Sequence, residues 1–98
     1  MKLTPSATLA GREESETLKV SGARFFRWPP GHVQDWHNAL QRQYVLTLSG
    51  RGEAELPGGQ KIPLDSGRII LAEDVTGKGH ITRSIGSEDW VFLMFAAQ

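Results

Sequence analysis

The side chains in this 98-residue chain best suited to holding a metal or moving a proton are three histidines, His32, His37 and His80. Imidazole titrates near neutral pH and is the commonest metal-ligating group. Cysteine is absent, which removes thiolate metal sites, thiol nucleophiles and disulfide staples together. His37 opens the stretch WHNALQRQYVLTLSG, residues 36–50. If residues 37–47 are extended, His37, Ala39, Gln41, Gln43, Val45 and Thr47 project to one side. Three readings of that side are open: a metal site with weak ligands, a metal-free polar pocket, or polar groups sealed in a core. Nucleophilic catalysis finds no support, because no serine sits in a G-x-S-x-G turn and no histidine–acid pair has a nucleophile beside it. General acid–base work by His37 or His80 in a dry pocket is compatible with the sequence.

Other candidates carry less. His32 follows the Pro29–Pro30–Gly31 turn and is expected in solvent. Gly77–Lys78–Gly79 offers a lysine and backbone N–H groups to an anion, but without the rest of a phosphate loop it reads first as a turn. Phe26, Trp28 and Trp36 read as core aromatics before they read as the floor of a pocket mouth. Arg42 and Arg83 fall on the opposite parity to Gln43 and His80, and read as solvent or interface charges.

The elements that must position these groups are short strands. Residues 41–48 alternate, with Gln43, Val45 and Thr47 facing one way and Tyr44, Leu46 and Leu48 the other. Before them, TLKVSGARFFRW predicts two short strands, or one bulged at Ser21–Gly22. After them, the segments 53–56, QKIPL, RIILAED, HITRSI and WVFLMFAA are separated by turns at Gly50–Arg51–Gly52, Pro57–Gly58–Gly59, Asp65–Ser66–Gly67, Gly77–Lys78–Gly79 and Ser87–Glu88–Asp89. RIILAED predicts a buried strand. WVFLMFAA is apolar on both faces, so it lies mid-sandwich or turns its outer face to another subunit. Such strands, with no convincing amphipathic helix, predict an all-β sandwich or barrel. Residues 1–15 are polar and predict an N-terminal arm able to add an edge strand; residues 16–98 form one domain.

Composition narrows the partners. Lys plus Arg and Asp plus Glu both number 11, so no basic field draws a phosphate backbone and nucleic acid is not an expected partner. No apolar run reaches the ~20 residues of a membrane span or the length of a signal peptide. A cytoplasmic protein is the default expectation. The apolar final strand predicts a homodimer.

The order and spacing of Gly31, His37, Gln43, Gly50, Gly67 and His80 resemble the cupin superfamily of small jelly-roll barrels. Its first motif, G-x5-H-x-H-x3-E-x6-G, meets Gly31, His37 and Gly50 here, with Ala39 in the place of the second histidine and Gln43 in that of the glutamate. In its second motif, G-x5-P-x-G-x2-H-x3-N, Gly67 fits, while Glu73 and Val75 stand in the proline and glycine places. His80 arrives two residues late, with Ser84 in the asparagine place.

The resemblance implies a single-domain jelly-roll β-barrel. It puts His37 and Gln43 inside and brings His80 in from a neighbouring strand. His37, His80 and Gln43 then line one ligand pocket and form the candidate metal set. The ion would be a divalent Zn, Ni, Mn or Fe, loosely held because Gln43 brings an oxygen without charge. Asp35, Glu73 and Asp74 are the acids available to replace the missing ligands. The expected function is binding of a small organic molecule, and the alternative is a metal-dependent dioxygenase or isomerase acting on a small polar metabolite. The resemblance names neither the substrate nor the reaction.

Overall fold

A computed structural model describes residues 4–6 and 10–98. Two four-stranded antiparallel sheets face each other. The first contains β3 (Val20–Trp28), β5 (Gln43–Ser49), β8 (Ile69–Ala72) and β10 (Trp90–Ala97), in the order β3-β10-β5-β8. The second contains β4 (Val33–His37), β6 (Arg51–Glu55), β7 (Lys61–Leu64) and β9 (His80–Ile85), in the order β4-β9-β6-β7. The chain crosses repeatedly between the sheets, which is the jelly-roll pattern. Within the expected arm, β1 (Thr4–Pro5) and β2 (Glu13–Glu14) pair with each other and join neither sheet; the rest of that segment lies partly outside the described residues. The described residues contain no helix, hence none long and apolar enough to cross a membrane.

Several strands fall where the sequence places them. HITRSI is β9 and WVFLMFAA is β10. The stretch before Pro29 is one long strand with a bulge: Phe95 faces Ala23 but Ala97 faces Val20, so β3 carries one extra residue at Ser21–Gly22. The turn after β5 rests on Gly50. Its φ is 71°, and a Cβ there would lie 2.2 Å from the Asp89 carbonyl oxygen, so only glycine fits. RIILAED forms a shorter strand than expected. β8 ends at Ala72 and is only half-buried, because it is the outer strand of its sheet.

One expectation is corrected. Residues 37–47 do not form a single extended strand. β4 ends at His37 in the second sheet, residues 38–42 cross over, and β5 begins at Gln43 in the first. A parity argument holds only along an unbroken strand, so it cannot relate His37 to Gln43. Ala39, buried in the crossing, donates its backbone N–H to the Asp74 carbonyl at 3.2 Å.

The core closes one end of the sandwich. Trp90 is 0% exposed and is joined by Phe92, Leu64 and Ala54. Trp90 stacks on Phe92 with ring centroids 4.0 Å apart, and Trp28 meets both edge-on at 5.3 and 5.4 Å. Such pairs are worth about 0.5–1.5 kcal/mol each beyond their buried area. Thr47, 1% exposed, ties the sheets together. It accepts from the Trp90 indole N–H at 3.0 Å and donates to the Leu64 carbonyl at 3.1 Å.

β10 lies between β3 and β5, so its inner face is core. Its outer face carries Leu93 and Phe95, registered against Phe25, Leu46 and Tyr44; Phe25 is 73% exposed.

Candidate functional site

The open end of the sandwich is built from register. Along the inner face of the first sheet, Trp28 and Trp90 pair at the closed end, Phe26 and Phe92 follow, then Arg24 and Met94. Gln43 lies one step further out, opposite Ala96 and Ala72. On the second sheet, Gly52 joins Leu64 and Ser84, the next row joins Gln34, Thr82, Ala54 and Ile62, and beyond it His37 faces His80. Gln43 and both histidines therefore sit at the same end, on opposed sheets.

His37 reaches that face because of a bulge. Gln34 pairs with Thr82 and His37 with His80, so three steps along β4 match two along β9. The extra residue in Asp35–Trp36 reverses the alternation and returns His37 to the side of Gln34. Without it, the ring would point away from His80. The displaced Trp36 is half-exposed rather than core, and the Asp35 carboxylate accepts the Trp36 backbone N–H at 2.9 Å.

The two imidazoles lie with centroids 4.4 Å apart and planes at 60°. The His37 Nδ1–H donates to the Asp35 carbonyl oxygen at 2.7 Å. A carbonyl only accepts, so the proton is on Nδ1 and the lone pair on Nε2. His80 Nδ1 is hydrogen-bonded to the Asp74 carboxylate, which holds the ring in place with Nε2 turned from that bond. Asp74 is itself positioned by the Asn38 amide, which donates to the Asp74 carbonyl at 3.2 Å and to that of Gly77 at 3.1 Å. Neither Nε2 has a protein partner among the described residues.

A cavity of about 520 Å³ runs between the sheets, and His37, Gln43 and His80 all line it. Its walls include Phe26, Trp28, Phe92, Met94, Ile62 and Ile70. Phe26 and Trp28 thus serve both roles the sequence offered them, packing on the core and walling the pocket. The three spare acids are engaged elsewhere. Asp35 is bound to its own strand, Asp74 orients His80, and Glu73 pairs with Arg42 at 3.1 Å. Among the described residues, no three His, Cys, Asp or Glu side chains gather as a metal-binding group. His32 is exposed beside Trp28, and Lys78 is exposed on its loop. Arg83, expected in solvent or at an interface, is half-buried and pairs with Glu55 at 2.8 Å.

Among the charged wall residues, Arg24 is not singled out by the sequence, and Asp74 is offered there only as a replacement ligand, not as the partner of His80. Arg24 shares the parity of Phe26 and Trp28, which was the signal available. The Asp74–His80 bond had none, since both lie near the irregular 73–79 loop.

No family model and no curated protein matches the chain. Solved structures do. A cupin domain from Bordetella pertussis Tohama I is 21% identical with a TM-score of 0.60, over 100% of this chain and 98% of that one. A sugar phosphate isomerase of the cupin superfamily from Silicibacter pomeroyi is 18% identical with a TM-score of 0.63, over 79% of this chain and 50% of that one. The Cupin_2 domain of an XRE-family transcriptional regulator from Enterobacter cloacae is 18% identical with a TM-score of 0.59, over 78% and 80%. The fold is that of a small cupin domain.

Proposed function

We propose that the protein binds a small organic molecule in the cavity between the sheets, with the His37–His80 pair as its polar anchor. One observation carries this reading. Both Nδ1 atoms are tied to protein acceptors, leaving two Nε2 atoms at one cavity end without a protein partner among the described residues. A cavity of about 520 Å³ falls within the roughly 300–1,000 Å³ of small-molecule sites. Its wall is mainly aromatic and aliphatic with polar side chains set among it, a composition such sites share. Fold neighbours that include an isomerase and a regulator domain are compatible with catalysis or sensing, and the fold does not choose between them.

The donor set also fits a loosely held divalent metal. His37 and His80 would supply two neutral nitrogens, Gln43 an amide oxygen, and the ion would polarise a bound ligand oxygen. The Asp74 carboxylate would act behind His80, keeping its ring oriented. Because no anionic side chain joins the pair directly, retention of the ion should be weak. The second reading, a metal-dependent enzyme, needs a firmer set than these residues offer, so binding is the reading we favour.

The test combines metal analysis by mass spectrometry on untagged protein purified without chelator with a melting-temperature screen of polar metabolites, with and without EDTA. Binding to the native state alone raises the melting temperature, with about 2.7 kcal/mol gained at a ligand concentration 100 times Kd. A shift that EDTA leaves intact supports metal-free binding. Near-stoichiometric metal lost in both His37→Ala and His80→Ala favours the enzyme reading. A protein that takes up neither metal nor any compound would reduce the site to a polar seam.

A further inference from the structure

The register of β3 sends a charge inward. Arg24 faces Met94, Phe26 faces Phe92 and Trp28 faces Trp90, so Arg24 shares the inner face with two aromatic wall residues. Its guanidinium carbon lies 5.1 Å from the Phe26 ring centroid, and the side chain lines the cavity at its solvent-exposed mouth. Three charged residues besides the histidines line this cavity: Arg24, Glu73 and Asp74. Glu73 is paired with Arg42 and Asp74 with His80. Arg24 has no carboxylate partner among the described residues. Arg24 is thus the one cation of this wall outside an ion pair among the described residues, on the sheet opposite the imidazole pair and at the same open end.

We infer that the cavity takes a small monocarboxylate, its carboxylate on Arg24 and its apolar body against Phe26, Trp28, Phe92 and Met94. This rests on the reading of the cavity as a ligand site. A guanidinium matches a carboxylate through two parallel N–H···O bonds, and stacking on an aromatic face holds its plane in place. A dianionic phosphate asks for a second cation, but among the described residues Arg24 is the only arginine lining the cavity, and nearby Arg42 is held by Glu73. The predominance of aromatic and aliphatic wall calls for an apolar body rather than a sugar. An inward charge on an outer strand also discourages strand-to-strand aggregation. The test must therefore read ligand charge, not stability.

Trp28 and Trp90 both line the cavity, so their fluorescence reports its occupancy. The full chain is titrated with phenylacetate, phenylacetamide and phenyl phosphate, and affinities are confirmed by calorimetry. Phenylacetate should bind at least about tenfold more tightly than the amide of the same shape. Arg24→Gln should weaken the acid by about ten- to a hundredfold and leave the amide unchanged, while Arg24→Lys keeps part of the preference. Equal binding of acid and amide by the native protein would overturn the inference while leaving the cavity reading intact. Tighter binding of phenyl phosphate would overturn the carboxylate assignment. Failure of both acid and amide to bind would also overturn it. The cavity reading then stands or falls separately, on the metabolite and metal screen.

Discussion

Gly79 lies directly against the backbone of His37: a Cβ placed on it would fall 2.0 Å from the His37 carbonyl oxygen and 2.5 Å from its carbon. Gly79 also has φ at +74°. Two constraints therefore meet one residue before His80, where the irregular loop re-enters the sheet beside β4. The close approach lets His37 and His80 become register partners. Gly79→Ala should destabilise by about 1–3 kcal/mol through overpacking and strain, and should weaken binding at the histidine pair. Gly77 has a similar φ of +84° but open space around it, so Gly77→Ala should cost only the conformational part, about 1 kcal/mol. Urea denaturation of both variants separates the two effects. Equal losses would show that the contact with His37 does not matter.

Asp74 is placed to act through His80 rather than as a ligand of its own. Asp74→Asn should leave the fold intact, because the backbone carbonyl that Ala39 and Asn38 bond is unchanged. It should lower zinc affinity by about ten- to a hundredfold, the usual effect of losing such an outer partner. Calorimetric titration of zinc into the two proteins checks this. Unchanged affinity would mean that the carboxylate does not orient the ring.

Thr47 and Trp90 form a buried relay to Leu64. Thr47→Val keeps the shape but removes the oxygen, leaving the indole N–H buried without its acceptor. A loss of about 1–3 kcal/mol is expected. Thr47→Ser keeps the hydroxyl and should lose only about the contribution of one methyl group, near 0.8 kcal/mol. Urea unfolding followed by tryptophan fluorescence measures both, and a milder effect for valine than for serine would contradict the relay.

The outer face of the first sheet is where we propose that a second copy docks. Phe25, Leu93 and Leu46 form one registered row across β3, β10 and β5, and Tyr44 stacks on Phe95 in the next, with centroids 5.2 Å apart. An antiparallel sheet facing water on one side alternates apolar and polar residues; β10 does not. Light scattering should report a dimer that Phe25→Glu dissociates. A monomer at micromolar concentration, or a dimer indifferent to that substitution, would place the partner elsewhere.

Much of the barrel was legible because its signals are local. Alternation in 43–49 needs only the two-residue period of a strand, and Gly50 announces the turn that follows because no other residue suits its backbone. The doubly apolar WVFLMFAA segment likewise marks β10 as a strand with neighbours on both sides. The candidate pair His37 and His80 came from motif spacing, and Gln43 with them.

What decided how these residues meet was not local. Whether residues 38–42 continue a strand or cross between sheets depends on which sheet each end finds partners in, so alternation mistook two strands for one. The bulge at Asp35–Trp36 that turns His37 inward exists only relative to β9. The bonds from Asp35 and Asp74 that leave both Nε2 atoms bare follow from that placement. The inward position of Arg24 becomes meaningful only once Glu73 is seen committed to Arg42 and Asp74 to His80. Sequence determined most of the strands and turns, since backbone preference and side-chain period act over a few residues, though Arg51 and Gly52, read as turn, belong to β6. Tertiary structure decided the site, since hydrogen-bond pairing and charge compensation join residues that lie far apart in the chain.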